Sequence, residues 1–487
     1  MIGKLTQEWE KVKTVHREKV RLVSLYMTTA GLSPLALVRG GQGAERFFWA
    51  EPEQNGRALT LAGVGVAAEV RVPPVLDAEG VACRPSGFRF EEVRKQANRL
   101  FAEAVFSSIR DEHSDGTTQA HHPARPRLFG GFAFQDDFIP DVTWSAFSPA
   151  HFILPHYQLA QVGQESYLTI NALLGPEEDP AEAMHGLREA LLVRLATLDN
   201  SPATRPTGRP HLHYPMTAET WRDIVIQATD TIQAGAIEKV VLSRVCEIRA
   251  DESIDAVSAL DFLNNRYADS YRFLFEPVPH HAFFGATPEL LIHKSGRAAR
   301  TMALAGSIAR GNSPTEDDVL ANTLLTSPKD RHEHKLVVEM IRNQLGSDAD
   351  GLFIPGEPNI LRLRNIQHLL TPIEAQFSDR TIDVLSLARR LPPPPALGGV
   401  PADRAVAFLR RVEPVPRGWY AAPVGWLDSQ TDGAFAVAIR SAVTQHDRAW
   451  LYAGAGIVGD SQPEREWAET ALKFRPMLGA LGVGEAI

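Results

Sequence analysis

The stretch YAGAGIVGDSQPEREWAETALK, Tyr452 to Lys473, decides how this chain reads. It opens within an apolar run, AWLYAGAGIV (449–458), with the length and composition of a buried strand. Gly454 and Gly456 let other groups approach that strand closely. The chain turns at Gly459-Asp460 and enters a helix. Ser461 and Glu464 have capping-box spacing, and Pro463 suits a first turn. Glu466, Glu469 and Lys473 follow at steps of three and four, so they share one helix face. Two carboxylates and an ammonium beside a glycine-rich strand end make a candidate metal or anion site.

The same residues spell a false motif. Gly454-Ala-Gly456-Ile-Val-Gly459 matches the dinucleotide fingerprint GxGxxG, which requires a βαβ unit and an acidic residue about 20 positions on. The window 475–482 has no Asp or Glu, so a nucleotide site is set aside. Gly63-Val-Gly65 runs into VAAEVRVPPV, which continues as strand rather than helix.

The 487 residues are 44% apolar, enough for a large core, and carry a net charge of −9 without a long basic run. Nucleic acid is therefore not an expected partner. Cys83 and Cys246 define neither a disulfide framework nor a zinc site, which fits a reducing cytoplasm. The first residues carry charges every few positions and lack a signal peptide's apolar segment. No run approaches bilayer length, so a soluble, cytoplasmic protein with no membrane partner is expected.

Residues 1–22 read as a polar leader or helix, and 23–200 as the first half of the body. Strands are expected across 23–72, LALVRG (35–40) included, and a helix over 88–110. The polar segment 113–126 is a loop, and its His121-His122 pair reads as loop histidines rather than metal ligands. LFGGFAF (128–134), FILPHY (152–157) and SYLTI (166–170) read as sheet, and 181–198 as helix. The Pro-, Thr- and Arg-rich segment 201–215 is either a domain linker or a crossing between two halves of one body. Beyond it, 216–487 reads as the catalytic region. A helix runs from Thr217 or Thr220 to Ala234, closed by Gly235, and Glu238–Ile248 alternates as a strand. The expected fold class is α+β, a large layered β-sheet body with helices packed outside.

Four stretches in this region carry candidate chemistry. Lys239 stands on its strand among Val240, Val241 and Leu242; it is either a solvated edge residue or a desolvated amine able to act as base. Glu289, hemmed by Phe283, Phe284, Leu290 and Leu291, is a turn cap or a carboxyl whose raised pKa suits a general acid. Gly306 and Ser307, in ALAGSIARG (303–311), form an ordinary turn or offer N–H and hydroxyl donors to an anion. The helix from Ser327 to Ile341 places Asp330 and Glu333 three apart on one face. His332-Glu333-His334 is not HExxH, because Leu336 stands at the second histidine, so zinc-protease chemistry is not supported. Two helices with carboxylates three apart suit a shared Mg²⁺ site better.

Taken together, EKVVLSR (238–244), FFGATPELL (283–291), ALAGSIARG, SPKDRHEH (327–334), NIQHLLTPI (365–373), FAVAIRS (435–441) and the 452–473 stretch resemble the chorismate-utilising enzymes. The resemblance covers about 216–482, more loosely the first half, and is nearest to isochorismate synthases of the menaquinone type. It implies the fold of anthranilate synthase component I and conversion of chorismate to isochorismate. Lys239 then activates water for attack at ring carbon 2, and Glu289 protonates the hydroxyl leaving carbon 4. The resemblance puts Mg²⁺ on Glu333 and Glu469, with Asp330 and Glu466 supporting those ligands or reaching the ion through water. The substrate carboxylates fall to Arg440, Lys473 and backbone at Gly306, Gly454 and Gly456, with Ser307 replacing a usual threonine.

Lys239 argues against an aminating subunit, so no amidotransferase partner is expected. The family usually reads Leu-His-Pro-Thr-Pro-Ala where this chain has Leu391-Pro-Pro-Pro-Pro-Ala396, placing Pro392 at a histidine near the substrate. A salicylate synthase and a non-catalytic chorismate-binding protein are the alternatives.

Overall fold

The computed structural model describes residues 20–53, 58–76, 87–108, 122–196, 210–379, 381–391 and 398–483. Several strands are apolar at successive positions, so both of their faces require cover. Arg46–Ala50, Ala150–Leu154, His281–Thr287 and Gly433–Val437 are buried at every residue. Two stacked sheets with helices outside supply that cover. Among the described residues, one sheet has thirteen strands and the other ten.

The larger sheet runs His211–His213, Lys239–Arg249, Arg448–Ile457, Ser441–Gln445, His281–Thr287, Tyr271–Val278, Arg46–Ala50 and Leu59–Val64, then continues to Arg21–Thr29 and Val105–Ser108. The smaller one centres on Ile366–Gln376, Ala298–Ala309, Leu290–Ser295, Gly433–Val437, Pro423–Asp428 and Arg127–Phe132. Both draw strands from before 201 and after 216. Arg46–Ala50 pairs directly with Tyr271–Val278, and His211–His213 pairs with Glu247–Arg249.

The period-two alternation of strands sorts side chains between layers. Phe47 and Trp49 face the other sheet, in one cluster with Phe129, Phe152, Trp426 and Phe435. Phe48 and Ala50, one residue along, face outward with Leu260, Leu263, Phe474 and Met477 of the helices Ala256–Arg266 and Pro463–Ala480. Trp144 and Trp419 are fully buried, each aromatic of this kind contributing roughly 2–3 kcal/mol of transfer free energy.

Some expectations need correction. LALVRG is not a strand. Pro34–Gly40 is helical, because Ser33 caps it through the Ala36 N–H at 3.0 Å and Pro34 occupies its first turn. The helix expected over 88–110 is Phe88–Phe101; the β-branched and aromatic Val105 and Phe106 instead join a parallel strand beside Arg21–Thr29. Arg21 and Leu22 belong to that first strand, while 1–19 lie outside the described residues. No capping box forms at Ser461: its hydroxyl accepts the Val458 N–H at 3.1 Å, and Gln462 precedes the helix. His122 lies among the rings of Tyr26, Phe106 and Tyr167, and His121 lies outside the described residues.

Candidate active site

Two helices meet over the junction of the sheets. Pro328–Gly346 packs on the strand Ala298–Ala309 of the smaller sheet, and Pro463–Ala480 on Arg448–Ile457 of the larger. Ser327 starts the first helix by accepting the Asp330 N–H at 3.3 Å, and its inward stripe is His334, Val337, Ile341 and Leu345. That stripe turns Asp330 and Glu333 toward the facing helix. A cavity of about 580 Å³ lies between them. Glu289, Gly306, Ser307, Asp330, Glu333, Arg440, Gly454, Gly456, Glu466, Glu469 and Lys473 all line it.

Lys239 is the exception. It is 1% exposed and lies behind the wall, on the strand paired with Arg448–Ile457, where Val241 faces Gly456. A Cβ at 456 would stand 3.1 Å from Lys239 Cε and 3.2 Å from Glu333 Oε1. The absence of a side chain at Gly456 therefore leaves the space in which Lys239 meets Glu333 of the cavity wall. Lys239 Nζ donates to Glu333 Oε1 at 2.6 Å. Burial opposes ionisation of Glu333, but Lys239, Lys473 and Lys329 outweigh it and hold the carboxyl below its ordinary range.

Glu289 and Arg440 sit where the chain passes between sheets. Glu289 separates His281–Thr287 of the larger from Leu290–Ser295 of the smaller; its N–H donates to Thr287 Oγ1 at 3.2 Å and its carbonyl accepts the Val437 N–H at 3.0 Å. Burial pushes its carboxyl up to about 7, against the opposing pull of Lys239, Lys473 and Arg440. Arg440 separates Gly433–Val437 from Ser441–Gln445 with φ +50°. A non-glycine residue occupies that region at a cost of about 1–3 kcal/mol. The Ala286 N–H, 3.1 Å from its carbonyl, helps to hold it there.

The acidic side of the cavity is crowded. Lys473 Nζ bridges Glu469 Oε1 at 2.6 Å and the Gly454 carbonyl at 2.7 Å. Burial, then the neighbouring Glu469, pushes Glu466 up to about 7. Burial, with added repulsion from Glu333 and Glu469, raises Asp330 although Ser327 bonds to it. Among the described residues no three such ligands converge closely enough to hold a metal by themselves. The hard oxygen set still fits Mg²⁺, which keeps waters and takes one or two protein carboxylates plus a bound anion.

Among the cavity residues that sequence reasoning did not select are a histidine and a tyrosine. His368 lines the cavity and lies with Nδ1 2.8 Å from Ser307 Oγ. Burial, then Arg440 and Lys473, hold its imidazole well below the ordinary range and hence neutral. Its signal was the histidine interrupting the apolar strand NIQHLLTPI. Tyr420 also lines the cavity, its hydroxyl 3.0 Å from where a Cβ at Gly454 would be; nothing in its local sequence marks it. Residues 392–397, Pro392 among them, lie outside the described residues.

A family model described as chorismate binding enzyme matches residues 7–482. The chain belongs to the chorismate-binding enzymes. This chorismate-binding enzyme is 33% identical over 464 residues to the isochorismate synthase MenF of Bacillus subtilis, covering 95% of this chain and 93% of that one. It is 38% identical over 398 residues to the salicylate biosynthesis isochorismate synthase of Pseudomonas aeruginosa, covering 81% and 79%. Among solved structures it superposes on MenF, the menaquinone-specific isochorismate synthase of Escherichia coli, with a TM-score of 0.75 at 24% identity, over 99% of this chain and 100% of the other. Anthranilate synthase component I of Streptococcus pneumoniae shares the fold, with a TM-score of 0.66 at 19% identity over 87% and 93%. Those likenesses establish the α+β fold expected from the sequence. No helix among the described residues is long and apolar enough to cross a membrane.

Proposed function

We propose that this chorismate-binding enzyme is an isochorismate synthase: water adds at ring carbon 2 of chorismate and the hydroxyl at carbon 4 leaves. The observation that carries this reading is the placing of an amine and a neutral carboxyl around one cavity. Lys239 lies against the gap at Gly456, bonded to Glu333 of the cavity wall, while Glu289, raised to about 7, keeps a proton to give at neutral pH. Lys239, once it has given up its own ammonium proton, takes a proton from the attacking water. Glu289 gives its proton to the departing hydroxyl, so one proton is removed as one is delivered and the ring keeps its charge. Each of these transfers is worth about 10²–10⁴-fold in rate.

Arg440 and Lys473 supply the cations for a dicarboxylate substrate, Arg440 in a bidentate grip. Gly454, Gly456 and Gly306 let the ring approach backbone closely. Glu333 and Glu469, with Asp330 and Glu466 around them, would hold Mg²⁺, which when bound neutralises a substrate carboxylate and fixes its pose. Ser307 orients the neutral His368 at the cavity wall. The reaction consumes no ammonia, so no amidotransferase subunit is required. Acidic charge and the free, buried Cys246 suit the cytoplasm.

Turnover in H₂¹⁸O tests the chemistry. One labelled oxygen is expected in isochorismate, at carbon 2, with the unlabelled carbon 4 hydroxyl released. Product without label would exclude water addition.

A further inference from the structure

Arg244 does not line the cavity, yet it is almost wholly buried, 4% exposed, on the strand that carries Lys239. The two residues are five apart, so strand alternation sends their side chains to opposite faces of the sheet. Lys239 meets Glu333 on one face. On the other, Arg244 reaches the helix Pro463–Ala480, although that helix packs on the neighbouring strand Arg448–Ile457.

Arg244 Nε donates to Thr470 Oγ1 at 2.7 Å, and Nη2 donates to the Trp467 carbonyl at 3.2 Å. The guanidinium lies 3.6 Å from the Trp467 ring centre, with the rings of Phe474 and Tyr214 at 5.1 and 5.8 Å. The Thr470 hydroxyl donates in turn to the Trp467 carbonyl at 2.8 Å. Burial pushes Arg244 down to about 10, so it is still charged at neutral pH. Burying a charge is costly, and an apolar side chain would fill the same space at less cost. What the guanidinium adds is direction. Its rigid fork of donors fixes both the rotation and the axial position of the helix it holds.

Rotation decides where the acidic side chains point. Trp467, Thr470 and Phe474 each follow Glu466, Glu469 and Lys473 by one residue. The gripped stripe therefore lies about 100° around the helix from the stripe that faces the cavity. Turning the helix by about 20° would carry a side-chain tip about 5 Å from the axis through about 2 Å, the length of a whole Mg²⁺–oxygen bond.

We propose that Arg244 is a positioning residue: from the back of the strand that bears Lys239, it sets the rotation of the helix that bears Glu466, Glu469 and Lys473, and so holds the metal-binding carboxylates and the amine in one geometry. The proposal rests on the functional reading above through the role given to those carboxylates.

The test uses the full-length protein and three variants. Arg244→Lys keeps the charge and loses the fork. Thr470→Val is close in shape and removes the hydroxyl, which Thr470→Ser retains. Mn²⁺ binding is followed by electron paramagnetic resonance, and turnover is measured across a Mg²⁺ series. Arg244→Lys and Thr470→Val should each weaken Mn²⁺ binding and raise the half-saturating Mg²⁺ by about 10–100-fold, while kcat at saturating Mg²⁺ changes only a few-fold. The double variant should be no worse than either single one, because both remove the same contact, and Thr470→Ser should bind Mn²⁺ as wild type does. A purely structural role would cut kcat at every Mg²⁺ concentration and leave the half-saturating value in place; that result, or wild-type Mn²⁺ affinity in Arg244→Lys, would overturn the proposal. Wild type that fails to bind Mn²⁺ would overturn it as well. Wild type that makes no isochorismate, yet binds Mn²⁺ in a way that Arg244→Lys weakens, would overturn the functional reading and uphold the positioning role.

Discussion

Replacing Glu289 by Gln should make the protein clearly more stable at pH 8.5 and change stability by under about 1 kcal/mol at pH 5. The group's carboxyl lies near 7 in the folded chain, against an ordinary 4.5, chiefly because burial penalises its charge. As pH rises through 4.5, the unfolded chain ionises Glu289 while the folded chain keeps the proton, so wild-type stability falls with pH. The loss is complete once the folded group also ionises, above about 7. The interval between those values corresponds to about 3 kcal/mol. Glutamine is neutral throughout and close in shape, so it escapes this term. The assay is urea denaturation of both proteins at pH 5 and pH 8.5. The Gln variant should gain about 2.5 kcal/mol on wild type between the two conditions, the rest of the loss having occurred by pH 5. An equal difference at both values would refute the argument that Glu289 is a desolvated carboxyl. The same substitution should lower turnover about 10²–10⁴-fold, and wild-type turnover should fall above about pH 7 as the acid loses its proton.

Four other substitutions separate the roles. Lys239→Ala should lower turnover by at least 10²-fold while chorismate binding, measured by titration, changes only a few-fold; retained turnover would remove Lys239 as base. Glu469→Ala should raise the Mg²⁺ concentration needed for half-maximal turnover at least tenfold, and an unchanged requirement would remove Glu469 as a ligand. Gly456→Val puts branched carbon into space already 3.1 Å from Lys239 Cε, so turnover should fall by more than 10²-fold with the far-ultraviolet circular dichroism unchanged. Arg440→Gln should weaken chorismate binding by about 2–3 kcal/mol, the scale of a charged hydrogen bond, read as the shift in KM.

The strand–turn–helix of 452–473 was legible because strand burial, glycine at the turn and carboxylates at steps of three all point the same way. The second helix, from Ser327, was legible for the same reason: Ser327 caps it and its apolar stripe fixes which face Asp330 and Glu333 occupy. Local periodicity failed where tertiary partners decide. Pro34–Gly40 carries an apolar pattern that suits strand or helix, and the Ser33 cap tips it. Val105–Ser108 becomes a strand only because Arg21–Thr29 offers an edge. Ser461 had the right spacing for a cap, yet its hydroxyl finds Val458 first. Contacts made across layers leave little local trace. The Lys239–Glu333 pair joins residues 94 positions apart, and Tyr420 meets Gly454 from a different element. The buried Arg125 and Arg127 look in sequence like ordinary surface residues, and only the stacking of the two sheets encloses them.

The central claim is tested most directly by incubating the purified protein with chorismate and Mg²⁺, without ammonia, and identifying the products by chromatography. Isochorismate alone is the expected result, lost when Mg²⁺ is chelated and restored when it is returned. Salicylate with pyruvate, or chorismate bound and unchanged, would contradict the account.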